Sequence, residues 1–252
     1  DFLSIFVLYG LLGAVTGSFL NVCILRNLQT RNFCNRGVPT VRHAAMYWPF
    51  TIWSCSVLVI SKGPVPVLQG PFSIQYPAVE LLTASAFLLC LLAKGPGMES
   101  ALMCMFSSIL ITAAFIDARH MYIPDGIHIL ILILSCIYGQ PDPDPAIINR
   151  LGGSLLAGGF LALVNLLSRG GVGWGDVKLF AASGLLIGAA PAITALLMGY
   201  VAAGLWYAVP LVRGRVGRKT QIPMAPFFAV SLMVCGLWFR QLFLWYLGIF
   251  SG

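Results

Sequence analysis

Only eight acidic residues occur in 252, so each can be weighed for carboxylate chemistry: Asp1, Glu80, Glu99, Asp117, Asp125, Asp142, Asp144 and Asp176. Asp1 is the first residue, and Glu99, Asp142 and Asp144 fall between apolar runs. Glu80 lies a few residues after Pro77, in the first turn of an expected helix, where a carboxylate suits the positive end of the dipole. Asp117 and Asp176 differ from these, because one closes an apolar run and the other opens one. Two carboxylates meeting at such an edge share a proton, since close like charges do not both ionise cheaply. The protonated member polarises a carbonyl while the ionised one activates a water, which is the chemistry of aspartic proteolysis.

Taken singly, each aspartate has another reading. Asp176 suits a helix N-cap, and Asp117 with Arg119 suits a solvated pair at a membrane boundary. Against the first stands the run RGGVGWGDVK, in which Gly170, Gly171, Gly173 and Gly175 precede Asp176. Glycines there permit close backbone approach or positive φ just ahead of the carboxylate. The run lacks the spacing and the terminal Lys and Ser or Thr of a phosphate-binding loop. Asp125, in IPDG, carries a turn signal and is equally a candidate for a supporting role in the site. Arg119 and Lys178 each follow an aspartate by two residues, an offset that points them away from it on a helix. Both are expected to snorkel to lipid headgroups. Arg240, inside the last apolar run, is expected to do the same. His43, His120 and His128 form no metal-ligand spacing with the seven cysteines, so no metal is expected. The cysteines form no CxxC pair and mostly sit in apolar runs as small hydrophobes.

The elements that must position these residues follow from composition. The chain is 59% hydrophobic and 9% charged, with a mean hydropathy of +0.90, whereas soluble domains carry about 25% charged residues. That excludes a soluble cytoplasmic enzyme, a disordered tail and a nucleic-acid binder. The expected fold is all-α, a polytopic integral membrane helical bundle of about eight transmembrane helices. A crossing takes roughly 20 apolar residues, and eight segments approach that: 2–25, 77–93, 101–116, 126–139, 147–167, 177–190, 191–212 and 226–250. The chain opens at Asp1 rather than Met, so a short piece is expected to precede it. The fourth and sixth segments are short and must borrow from their flanks or lie in a protein-lined region, where irregular spans accompany function.

Alternate loops hold the positive charge, as the positive-inside rule requires. Arg26, Arg31, Arg36, Arg42 and Lys62 lie in the first loop, Arg119 in the third, Arg169 and Lys178 in the fifth, and Arg213, Arg215, Arg218 and Lys219 in the seventh. Only Lys94, Arg150 and Arg240 fall to the other side, with the acidic, proline-stiffened QPDPDP stretch. Asp117 and Asp176, 59 positions apart, then share the cytoplasmic boundary. The domain reading is 1–25 as a first transmembrane helix, 26–76 as a cytoplasmic loop subdomain, and 77–252 as a transmembrane core. The apolar run 48–60 inside the loop is read as interfacial, because a further crossing there would spoil the charge alternation.

These residues resemble a known family, the type 4 prepilin peptidases, membrane aspartic proteases of the GxGD class. GSFLNV at 17–22 resembles its first-span ending, SIQYPAVELL at 73–82 its entry to the second span, and AAFIDARHMYIPD at 113–125 its first aspartate motif. GVGWGDVKLFAASGLLIG at 171–188 is similar to its GxGD motif, and IPMAPFFA at 222–229 to its late proline motif. The resemblance implies Asp117 and Asp176 as the catalytic pair, with Gly173 and Gly175 the glycines of GxGD. It implies removal of the short basic leader from type IV prepilins or type II secretion pseudopilins at the cytoplasmic face of the bacterial inner membrane. It also implies N-methylation of the new terminus from S-adenosylmethionine where the second activity is retained, and membrane lipids and the pilin substrates as partners. Peptidase activity needs no cofactor. The first loop departs from the family pattern: two CxxC pairs are replaced by isolated Cys34 and Cys55, so four ligands for zinc are missing and zinc is not expected.

On its own helix each aspartate has a preferred role. Asp117 at a helix C-terminus is the expected acid and Asp176 at a helix N-terminus the expected base. Rival readings are a proton-coupled transporter, a processing-deficient scaffold, and a GxGD protease acting within other membrane helices.

Overall fold

The structure is a computed structural model that describes residues 2–35, 75–138, 144–213 and 222–250. Among them it is helical, with no strand: α1 (Phe2–Asn35), α2 (Gln75–Lys94), α3 (Met98–His120), α4 (Asp125–Tyr138), α5 (Asp144–Gly153), α6 (Gly159–Leu167), α7 (Trp174–Ile187), α8 (Ala189–Val212) and α9 (Ala225–Phe250). A π-helical turn, Ser154–Gly158, joins α5 to α6 without a break in direction. Most of the loop expected as a subdomain, including the run 48–60 and Cys55, lies outside the described residues, as does most of QPDPDP.

Each of the eight expected segments is a helix, and they differ in length. Six are long and apolar enough to span a bilayer: Leu3–Ile24, Pro77–Lys94, Met98–His120, Ile147–Leu167, Ala189–Val212 and Ala225–Ile249. The protein is therefore a polytopic helical membrane protein. The other two, α4 and α7, have 14 residues each, about 21 Å at 1.5 Å per residue against a hydrocarbon core of about 30 Å. Helix α7 also begins earlier than the apolar pattern suggests, at Trp174, and ends at Ile187. The break falls at Gly188, whose φ of 87° is open to glycine at little cost.

Lipid offers no hydrophobic drive for helix association, so van der Waals fit between small residues must supply it. On α1, a Cβ at Gly13 would lie 2.7 Å from Ala84 Cα, and one at Gly17 would lie 2.8 Å from Glu80 Cα. The α5 backbone meets that of α7 as closely, since a Cβ at Gly153 would sit 2.5 Å from Gly184 O. Helix α3 runs through the interior and buries Leu102, Phe106, Leu110 and Ile116. Phe180 of α7 meets Phe228 of α9 edge to face with centroids 4.9 Å apart, and Tyr200 of α8 packs on the same ring at 5.2 Å. Leu81, Ile148, Leu166 and Leu205 are exposed, as suits a surface solvated by lipid.

Candidate active site

Asp117 lies in the last turn of α3 and is buried. The helix ends through Met121, whose left-handed backbone (φ 51°) lets its N–H donate to Asp117 O at 2.7 Å. The side chain faces another helix end. Ala225 N, at the start of α9, donates to Asp117 Oδ2 at 3.0 Å. The local sequence explains why that amide is available. Pro226 has no N–H, and Phe227 N and Phe228 N both donate to Met224 O, which leaves the Ala225 amide for an external acceptor.

Asp176 is the third residue of α7. The N-cap is Gly173, extended at φ −66° and ψ 134°, and its carbonyl accepts from Asp176 N at 3.1 Å and Val177 N at 3.3 Å. The capping alternative for Asp176 is thereby set aside, and its carboxylate is left to other work. The two GxGD glycines have separate steric reasons. A Cβ at Gly173 would come within 3.3 Å of Asp176 Oδ2, and one at Gly175 within 3.3 Å of Ile123 Cβ in the short connection between α3 and α4.

Asp117, Asp125, Gly173, Gly175 and Asp176 all line one cavity of about 740 Å³. Within it the charge of Asp117 acts on Asp176. Irregular backbone ahead of α4, at Met121, Tyr122 and Ile123, and ahead of α7, at Gly170 to Gly173, forms part of the cavity wall. Non-helical backbone at membrane depth is tolerated where it lines such a space.

Asp125 is the first residue of α4 and exposed, and its Oδ1 accepts from Lys178 Nζ at 2.7 Å. Lys178 therefore forms a fixed pair instead of snorkelling. The offset within α7 does point it away from Asp176, but the packing of α4 on α7 brings Asp125 across to it. The Lys178 ammonium holds the Asp125 carboxyl below the usual carboxylate range. Beside it, His128 Nε2 donates to Gly175 O at 3.0 Å, while Nδ1 lies 3.7 Å from Asp125 Oδ1. These contacts tie the start of α4 to the start of α7.

Three groups at the site escape a reading of motifs alone. The Ala225 amide is one and Tyr200, half-buried on the cavity wall, is another. The third is Asn165 near the end of α6, 3% exposed. In the amide orientation that satisfies its neighbours, its nitrogen donates to Val172 O at 2.8 Å and its oxygen accepts from Trp174 Nε1 at 3.2 Å. Its backbone carbonyl accepts from Gly170 N at 2.9 Å. One side chain and its own carbonyl so hold three points of the glycine-rich loop. A lone amide at the end of an apolar helix, beside that loop, was the available signal.

A family model described as the type IV leader peptidase family matches residues 104–208. The chain is 32% identical to the prepilin leader peptidase/N-methyltransferase of Xanthomonas campestris pv. campestris, over 92% of this chain and 90% of that protein. It is 30% identical to the protein of that name from Dickeya chrysanthemi, over 88% of each. It is 27% identical to the one from Bacillus subtilis, over 99% of this chain and all of the relative. No solved structure matches the chain.

Proposed function

The chain belongs to the type IV leader peptidase family, and on that premise we propose that it hydrolyses the leader from prepilins or pseudopilins with Asp117 and Asp176 as its catalytic pair. The observation that carries the proposal is the convergence of both carboxylates, from α3 and α7, on one cavity at the same end of the bundle. A transporter reading has no comparable support, and the relatives are all named for processing prepilins.

The roles follow from what each carboxylate touches. Asp117 receives the Ala225 amide, and an amide donor favours the ionised form. That hydrogen bond to a charged group is worth about 1.5–3 kcal/mol, more than the roughly 0.3–1 kcal/mol of the α3 dipole that opposes it. Asp117 is then the base that activates water, and Asp176 carries the shared proton and polarises the scissile carbonyl. This reverses the roles suggested by each residue's place on its own helix. Water adds to the carbonyl as its proton passes to Asp117 and Asp176 gives its own to the carbonyl oxygen; on collapse the leaving amine takes the proton from Asp117, and Asp176 recovers one from the gem-diol. The pair titrates as one unit, so activity should fall on both sides of a pH optimum.

The positive-inside pattern supports a cytoplasmic-facing site in an inner membrane. Substrate helices are then already in the bilayer, oriented with their leaders at the cavity, which raises effective concentration. N-methylation from S-adenosylmethionine is proposed from the relatives' names. No described residue is assigned to that cofactor, and the zinc expectation falls on Cys34 and Cys55, whose side chains lie outside the described residues.

The test is co-expression with a prepilin, read by intact mass. Wild type should remove the leader. Asp117→Asn and Asp176→Asn should each lose it by about 10²-fold to 10⁴-fold with unchanged membrane insertion. Cleavage surviving either change would refute the assignment. An added methyl mass on the wild-type product would establish the second activity.

A further inference from the structure

Tyr200 lines the aspartate cavity, yet the hydrolysis described above gives it no task. Its place there follows from the chain around it. Gly188 ends α7 and precedes α8, and Asp176 and Tyr200 stand 12 residues to either side of it, about 18 Å along each helix. A chain that turns back at Gly188 brings the two level, and both side chains do reach the same cavity. Gly199 then lets α8 close on α9, since a Cβ there would sit 2.5 Å from Phe228 Cδ1 and 3.0 Å from Ser231 Oγ. That approach seats the Tyr200 ring edge to face on Phe228, which packs in turn on Phe180, one turn along α7 from Asp176.

The ring is therefore fixed, and the hydroxyl is not spent. Among the described residues no hydrogen-bond partner holds it, while the charge of Asp176 acts on it. Other donors around the cavity are already engaged: Lys178 by Asp125, Trp174 Nε1 by Asn165, and the Ala225 amide by Asp117. A phenol titrates near pH 10 in water, so it carries its proton at neutral pH and can donate. A carbonyl oxygen gains negative charge as water adds to its carbon, and a donor already in place there stabilises the transition state more than the bound substrate.

We propose that Tyr200 is a further catalytic residue, whose hydroxyl donates a hydrogen bond to the scissile carbonyl oxygen beside Asp176. Tyr200 keeps its proton throughout, so the transfers through Asp117 and Asp176 stand as written. The proposal rests on those two aspartates being the catalytic pair.

The test uses the full chain in detergent, with single-turnover and steady-state cleavage of a purified prepilin. A second probe is a leader-spanning peptide with statine at the scissile position, whose hydroxyl-bearing tetrahedral carbon stands for the gem-diol. Tyr200→Phe keeps the ring on Phe228 and removes only the hydroxyl. Its kcat should fall by about 10²-fold, the lower end of what losing one such donor costs, with KM and melting temperature little changed. Binding of the statine peptide should weaken in step with kcat/KM. Tyr207→Phe, on the same helix but packed on Phe227 away from the cavity, should behave as wild type. An unchanged kcat in Tyr200→Phe, with Asp117→Asn and Asp176→Asn inactive, would overturn the role of Tyr200 and leave the catalytic pair standing. Cleavage surviving in an aspartate variant would overturn the reading beneath the proposal and the proposal with it. A fall in kcat with a displaced pH optimum and undiminished binding of the statine peptide would make Tyr200 a positioning residue acting through Asp176, against the proposal. A lowered melting temperature with kcat and KM both impaired would assign the hydroxyl to packing, and equally overturn it.

Discussion

Asp117 and Asp176 share a cavity but not an environment, and the residues around them decide their division of labour. Asp117 is clasped by a backbone amide, whereas Asp176 is held by where α7 begins and by the absence of a side chain at Gly173. The outer carboxylate, Asp125, acts differently again, by fixing Lys178 at 2.7 Å. Since its folded pKa is depressed below the ordinary 3.8, the pair contributes stability above that value, and the contribution disappears as pH falls through the depressed one. Asp125→Asn should therefore melt below wild type in detergent at pH 6, and the two melting curves should converge under strongly acidic conditions. Because the pair is exposed, added salt should shrink the difference. A gap that persisted unchanged in acid would mean that Asp125 supports the fold through something other than this charge. The sequence exposed Asp125 as a turn residue and Lys178 as a helix-surface cation. Their pairing depends on the packing of two helices, which a local offset does not contain.

At the scale of elements, the glycine-rich loop shows what motif reading reaches and where it stops. The need for glycine at 173 and 175 was legible, because only small residues let backbone approach a neighbour so closely. What holds the loop was not. Asn165 belongs to α6, seven to nine residues before the segment it grips at Val172 and Trp174, and an amide in an apolar run has no periodicity to betray its partner. Asn165 is a positioning residue, since it reaches Asp176 only through the loop. Asn165→Leu should insert normally yet lower kcat for leader cleavage by about 10- to 100-fold, the scale of a misplacement of up to 1 Å, with KM little changed. Asn165→Gln should recover part of the loss if the amide is what matters. A uniform loss of folded protein across both variants would assign Asn165 to stability alone. Single-turnover cleavage beside a thermal melt separates those outcomes.

For the whole molecule, hydropathy and charge located every helix among the described residues, yet length alone left α4 and α7 open. Their 14 residues are too few to cross unaided. Helix α7 nevertheless packs inside the bundle and buries Leu179, Phe180 and Leu186, whereas α4 buries one face, with Ile127, Ile131 and Leu134, and leaves Ile129, Leu130 and Ile133 exposed. If both reverse the chain's direction, the α3–α4 segment and the end of α8 lie on one side and the α2–α3 loop on the other. Single cysteines in a chain otherwise freed of them would show this. Met121→Cys and Arg213→Cys replace exposed residues at the aspartate end, and Gly97→Cys replaces an exposed one at the other, with no atom crowding its Cβ. A membrane-impermeant maleimide should label the first two only in inverted vesicles and the third only in right-side-out vesicles. Labelling of Met121→Cys and Arg213→Cys from opposite sides would mean that one short helix re-enters without crossing. Were that helix α4, the aspartates would have to meet by a different path, because two crossings out and back, through α4 and then α5 with α6, are what return the chain from Asp117 to Asp176.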